Sequence, residues 1–134
     1  MPNILIVEDD KELNAAYKLI LEHAGYTVES AYNGKAALKE LEDFEPDLIL
    51  LDLLMPIMGG LEFLQHYSLK EKHPNVKVLI FTNMENSPEA TEAFKLGAHR
   101  TIIKSWTAPQ NLARVIKDAL KESGNEKSLA SDAS

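Results

Sequence analysis

The chain has 134 residues, with 14 Lys and Arg against 21 Asp and Glu, a net charge of −7, and 45% hydrophobic content. That length suits one domain with a real core. The absence of cysteine excludes disulfides and thiolate metal sites, and the acidic balance argues against nucleic acid as a direct ligand. No apolar run approaches the ~20 residues of a membrane helix, and no signal-type core precedes the strand pattern at Asn3, so a soluble cytoplasmic protein is expected.

Asn3–Val7 (NILIV) is a short apolar run that ends in Glu8, Asp9 and Asp10. Leu13, Ala16, Tyr17, Ile20, Leu21 and Ala24 then recur at helical spacing until Gly25 supplies a stop. Asp10 belongs at the start of that helix, where the dipole favours a carboxylate. Tyr26–Ala31 alternates and carries β-branched Thr27 and Val28, which predicts a second strand. Asn33-Gly34 marks a turn before a helix over roughly 35–43, and Pro46 precedes Asp47–Leu51 (DLILL), which runs into Asp52. Gly59-Gly60 open a helix with Leu61, Leu64 and Tyr67 on one side, ending before Pro74. Val76–Phe81 (VKVLIF) runs into Thr82. Ser87-Pro88-Glu89 predicts a helix start, with a capping hydroxyl and then Pro in the first position, and Gly97 its end. Thr101–Ile103 ends at Lys104. Thr107 and Gln110 suggest a capping box for a last helix whose stripe is Leu112, Val115, Ile116, Ala119 and Leu120. Residues 123–134 are small, polar and unpatterned, so a folded domain over 1–122 with a disordered tail is expected.

Short apolar runs separated by helical patterns read as buried strands of a parallel sheet. Five strands alternate with five helices, and each crossover is long enough for a helix, which predicts a doubly wound α/β fold. In such sheets functional groups gather beyond the carboxyl ends of the strands. The acids after strand one, Asp52, Thr82 and Lys104 should therefore meet at one edge. Taken singly each has a bland reading: a strand-end Asp starts a turn, a Thr is a β-former, a Lys is solvated. Together they suit Mg²⁺, which takes oxygen ligands and keeps several waters, and phosphorylation of an aspartate, which cations stabilise.

Asp52 is followed by Leu53-Leu54-Met55-Pro56-Ile57-Met58-Gly59-Gly60. This segment resembles the D-x-x-M-P-x-M-x-G context of the phosphoacceptor in receiver domains of bacterial response regulators, matched at Asp52, Met55, Pro56, Met58 and Gly60. The resemblance runs from residue 3 to about 122 and is to the stand-alone, chemotaxis-regulator-like type. It implies a flavodoxin-like sheet in strand order 2-1-3-4-5 and a phosphorylation-controlled switch, not an enzyme. The implied site has Asp52 as phosphoacceptor, Thr82 as phosphoryl-sensing hydroxyl and Lys104 as phosphate-pairing lysine. Mg²⁺ would be held by Glu8, Asp9, Asp52 and the backbone carbonyl of Leu54, with Asp9 a direct ligand and Glu8 acting through water. The implied donor is a histidine kinase or histidine phosphotransfer protein. An output protein is also implied but not named, with no membrane contact and either a monomer or a phosphorylation-dependent homodimer.

Some positions depart from the family pattern. Ser105 follows Lys104 where proline is usual, so a cis peptide there is not assumed. Thr101 stands at the switch aromatic, and His99 and Arg100 stand where acids are common. Trp106 reads as a packing residue or part of an altered output face. Leu54 and Met84 should flank the approach of hydrolytic water, with a smaller role for Asn83, which predicts a long-lived phosphorylated state. The altered switch leaves open an interaction module that signals without phosphorylation. A haloacid-dehalogenase-type phosphatase would need an acid at Leu54, and in a flavin-binding flavodoxin the acids after strand one would repel the phosphate. His23, His66 and His73 read as solvated.

Overall fold

The computed structural model describes residues 2–82, 88–104 and 109–121. Its five strands are β1 (Asn3–Val7), β2 (Thr27–Ala31), β3 (Leu48–Leu51), β4 (Lys77–Thr82) and β5 (Arg100–Ile103). They form one parallel sheet in the order β2-β1-β3-β4-β5. The order explains the sequence pattern. β1, β3 and β4 lie inside the sheet and are buried almost throughout, whereas β2 and β5 are edges and only partly buried. Strands covered on both faces lose alternation and become apolar runs.

The helices are α1 (Lys11–His23), α2 (Gly34–Glu40), α3 (Gly60–Tyr67), α4 (Leu69–Lys72), α5 (Pro88–Lys95) and α6 (Pro109–Lys121). α4 is a single turn that continues α3 after Ser68 takes a left-handed φ of 55°. With α3 and α4 counted as one segment, the helical segments are thus the five expected. α1 and α6 cover one face, where Tyr17, Leu21, Leu112 and Ile116 pack on Ile4, Ile6, Leu50 and Leu79. α2, α3 and α5 cover the other, where Ala37, Phe63, Leu64 and Ala93 pack on Leu5, Val7, Leu51 and Ile80. Among the described residues no helix is long and apolar enough to cross a membrane.

Several sequence expectations need correcting. On α1 the buried positions are Asn14, Tyr17 and Leu21, while Ala16 and Ala24 are exposed. Alanine counts as apolar in a periodicity but buries too little to orient a helix. β2 begins at Thr27 and α2 ends at Glu40, both shorter than expected. His73 is not simply solvated: its ring stacks on Tyr67 with centroids 4.0 Å apart. Asp10 caps α1 as expected, accepting from the Leu13 N–H at 3.1 Å. The caps expected at Ser87 and Thr107, and the tail at 123–134, lie outside the described residues.

Candidate functional site

Register carries the site residues to one edge. Val7 lies opposite both Ala31 and Leu51, and Leu51 lies opposite Ile80. Glu8 and Asp52 therefore leave adjacent strands at the same level. Thr82 pairs with Ile103, so Lys104 emerges one residue past Thr82 on the neighbouring strand.

The side chains converge accordingly. Lys104 Nζ lies 2.5 Å from Glu8 Oε1 and 3.2 Å from Asp52 Oδ2. The second Glu8 oxygen accepts from the Asp10 N–H at 3.1 Å, and the other Asp52 oxygen accepts from the Leu54 N–H at 3.4 Å. Glu8, Asp52 and Thr82 are buried, while Asp9 is exposed. Burial pushes the Glu8 carboxyl above its ordinary range, with the Asp52 charge adding and Lys104 opposing. Burial raises Asp52 too, helped by Asp9 and again opposed by Lys104. Burial alone would lower Lys104, but its bond to Glu8 and the charges of Asp52 and Glu8 together hold it above the usual lysine value.

Glu8, Asp9 and Asp52 can each present a carboxylate oxygen with all three atoms within 4.8 Å of one another. A donor set made only of oxygens, two carboxylates buried and one facing solvent, fits a hard cation that keeps part of its water shell. The cluster could hold such a metal. The Leu54 backbone stands beside it, and the Leu54 side chain is 54% exposed at the rim. Thr101 lies half-buried on the edge strand β5. Asn83, Met84, Ser105 and Trp106 lie outside the described residues.

Sequence reasoning missed the residues that brace this edge. The Asn14 carboxamide donates to the carbonyls of Glu8 at 3.0 Å and Ala31 at 3.2 Å, and Ser30 Oγ donates to Asn14 Oδ1 at 2.5 Å. The available signal was spacing: 14, 17 and 21 share one helix face. Phe81 also supports the site. Its ring meets Tyr17 edge-on at 5.1 Å and has Lys104 Nζ 5.8 Å from its centroid. The charges of Glu8, Asp10 and Asp52 join burial in pushing the Tyr17 hydroxyl up to about 12.

Comparison with known proteins identifies the family. The family model described as the response regulator receiver domain matches residues 4–117. The chain is 34% identical over 115 residues to the response regulator ArlR of Staphylococcus saprophyticus, covering 86% of this chain and 51% of that protein. It is 32% identical to the DNA-binding dual master transcriptional regulator RpaA of Synechocystis, covering 86% and 48%. The chain thus spans about half the length of these curated relatives. A CheY-like receiver domain protein from Methanospirillum hungatei superposes with a TM-score of 0.81 at 31% identity, covering 90% of this chain and 94% of that one. The chemotaxis protein CheY4 of Vibrio cholerae gives 0.79 at 29% identity, covering 89% and 98%. The shared sheet order, the acids at its carboxyl edge and a family match over most of the chain lead to one conclusion: the chain belongs to the response regulator receiver domain family.

Proposed function

We propose that Asp52 is the phosphoacceptor of this receiver domain and that Mg²⁺ is its cofactor. The observation that carries the reading is Lys104 Nζ reaching both Glu8 and Asp52 beside the solvent-facing Asp9. Asp9, Asp52 and the Leu54 carbonyl would hold Mg²⁺ directly, and Glu8, occupied by Lys104, would act through water. Bound there, the cation supplies charge for the phosphoryl oxygens.

An Asp52 carboxylate oxygen attacks phosphorus in line with the donor's leaving group. An O–P bond forms as the bond to the leaving nitrogen breaks, and the imidazole leaves neutral or takes a proton from water. Lys104 exchanges its contact with Asp52 for a phosphoryl oxygen, and the Thr82 hydroxyl donates to another. The phosphoryl group adds roughly −1.5 to −2 charges, and a two-state element responds to them. The donor is a histidine kinase or histidine phosphotransfer protein in the cytoplasm, and the output is a protein contact made by a monomer or a phosphorylation-dependent homodimer. Leu54 cannot orient water with its side chain, so the phosphorylated state is long-lived, and Leu54→Asn should shorten it.

Intact-mass measurement after incubation with acetyl phosphate and Mg²⁺ tests the assignment. The wild type should gain one phosphoryl group and Asp52→Asn none, because the amide lacks the nucleophilic oxygen. Full labelling of Asp52→Asn would remove Asp52 from the role.

A further inference from the structure

Between Asp52 and α3 the chain makes a turn that is strained at Ile57 and leaves that side chain outside the core, although Leu53, Met55 and Met58 on either side pack inward. The Met58 N–H donates to the Pro56 carbonyl at 2.7 Å around Ile57, whose φ is 69°. A three-residue turn with positive φ is strained, and a β-branched residue there is a true outlier. The turn is fixed from both sides. The Gly34 N–H donates to the Met58 carbonyl at 2.8 Å, and the Gly60 N–H donates to the Leu53 carbonyl at 3.0 Å. Gly34 permits this approach, since a Cβ there would stand 2.7 Å from Met58 Cγ. Ile57 gains no shelter: at 77% it is the most exposed large hydrophobic side chain among the described residues. An apolar group held out in water at a strained position is explained by something outside the fold.

Ile57 stands on the rim of an open groove of about 550 Å³ whose other walls include Lys35, Ala36, Leu38, Lys39 and Glu42 of α2 and its continuation. Its lining is apolar, with two lysines and one acid around it. Two lysines against one acid leave this lining net positive in a chain of net charge −7, with Glu40 and Asp43 of the same segment lining a different pocket, and neither lysine forms an ion pair among the described residues. Apolar anchors supply affinity, while the surrounding charges select the partner.

We propose that the groove between α2 and the 55–59 loop docks an amphipathic, acidic segment of a partner protein. An apolar side chain of that segment packs beside Ile57, and its carboxylates face Lys35 and Lys39. Recognition is of the helix-in-groove kind, and it does not depend on Asp52 being the phosphoacceptor. A segment seated there would also hold the loop that carries Leu54, adjoining the acid cluster.

Isotope-labelled chain titrated with a designed amphipathic peptide, leucines on one face and glutamates flanking them, tests this by amide chemical shifts. The same peptide with lysines is the control. The acidic peptide should shift the amides of 35–42 and 55–59 and bind at least about tenfold tighter than the basic one, a difference of about 1.4 kcal/mol. Ile57→Gly should weaken it at least about tenfold while raising Tm, because glycine adopts this φ without steric strain. Lys35→Glu with Lys39→Glu should reverse the preference between peptides. Absent shifts, shifts elsewhere, equal binding of both peptides, or unchanged affinity in Ile57→Gly would overturn the proposal. So would self-association of the free chain that Ile57→Gly abolishes, which would make a second copy the occupant.

Discussion

The two ends of the same five strands hold polar groups by opposite means. At the amino end they pair with each other and with backbone. The Asn3 N–H donates to Asp47 Oδ2 at 2.7 Å, Asn3 Nδ2 donates to the Glu45 carbonyl at 3.0 Å, and the Val78 N–H donates to His99 Nδ1 at 3.1 Å. Nearby, Tyr67 stacks on His73 at the wall of a cavity of about 350 Å³. At the carboxyl end Glu8, Asp9 and Asp52 cluster around a single lysine, Lys104, among the described residues. The amino end is closed by hydrogen bonds. The carboxyl end keeps an excess of negative charge and could hold a cation.

The largest test of that contrast is Lys104→Met. It strands two buried carboxylates, and breaking a buried pair in this way costs about 3–5 kcal/mol. We expect that loss in urea unfolding at pH 8. It should shrink as pH falls and Glu8 and Asp52, both raised, take up protons, and Mg²⁺ should restore part of it. Loss of stability independent of both pH and Mg²⁺ would show that Lys104 acts through packing instead.

Asp9→Ala comes next. It should weaken Mg²⁺ binding at least about tenfold, or 1.4 kcal/mol, by calorimetric titration. Asp10→Ala should lose about 1 kcal/mol of fold stability through its cap and little Mg²⁺ affinity. The reverse order would move the cation toward α1.

The pH dependence separates the ends more gently. Glu8 and Asp52 have folded pKa values raised from 4.5 and 3.8, so the folded state binds more protons above those values. Their contribution to stability is fully present below those values and is lost as pH rises through the raised folded ones. Lys104 has the same sign at the alkaline end, losing its contribution above 10.5. Without metal, stability should therefore decline from the carboxylate range toward neutrality, and Glu8→Gln should flatten the curve. A curve rising over that window would contradict the assigned directions.

The smallest effect belongs to the amino end. His73→Ala should cost about 0.5–1.5 kcal/mol by losing the ring stack and leave Mg²⁺ affinity unchanged. A change in Mg²⁺ binding would mean that the two ends are coupled.

How much of this was legible depends on what each residue's environment could imprint on sequence. β1, β3 and β4 are buried on both faces, so they appear as unbroken apolar runs, and the site residues are those that end the runs. Asp10 was readable because capping is local. Asn14 was not, because its burial is justified by two carbonyls, one just past the end of β1 and one at the end of β2, that only the folded sheet brings together. The His73 stack depends on the left-handed Ser68, which redirects the chain after α3 and has no glycine to announce it. The loop motif located Ile57 but said nothing of its backbone angle.

Asn14 also has a kinetic consequence. The Ala31 carbonyl accepts from both the Glu8 N–H at 3.0 Å and Asn14 Nδ2 at 3.2 Å, so the last rung between β1 and β2 is fastened to α1. Strand ends ordinarily fray, and their amides exchange with solvent through small local openings. Here parting the two strand ends also costs a buried carboxamide one of its hydrogen bonds, so the Glu8 amide hydrogen should exchange more slowly than a frayed strand end. An acid held this way keeps its place through the fast motions of the surface.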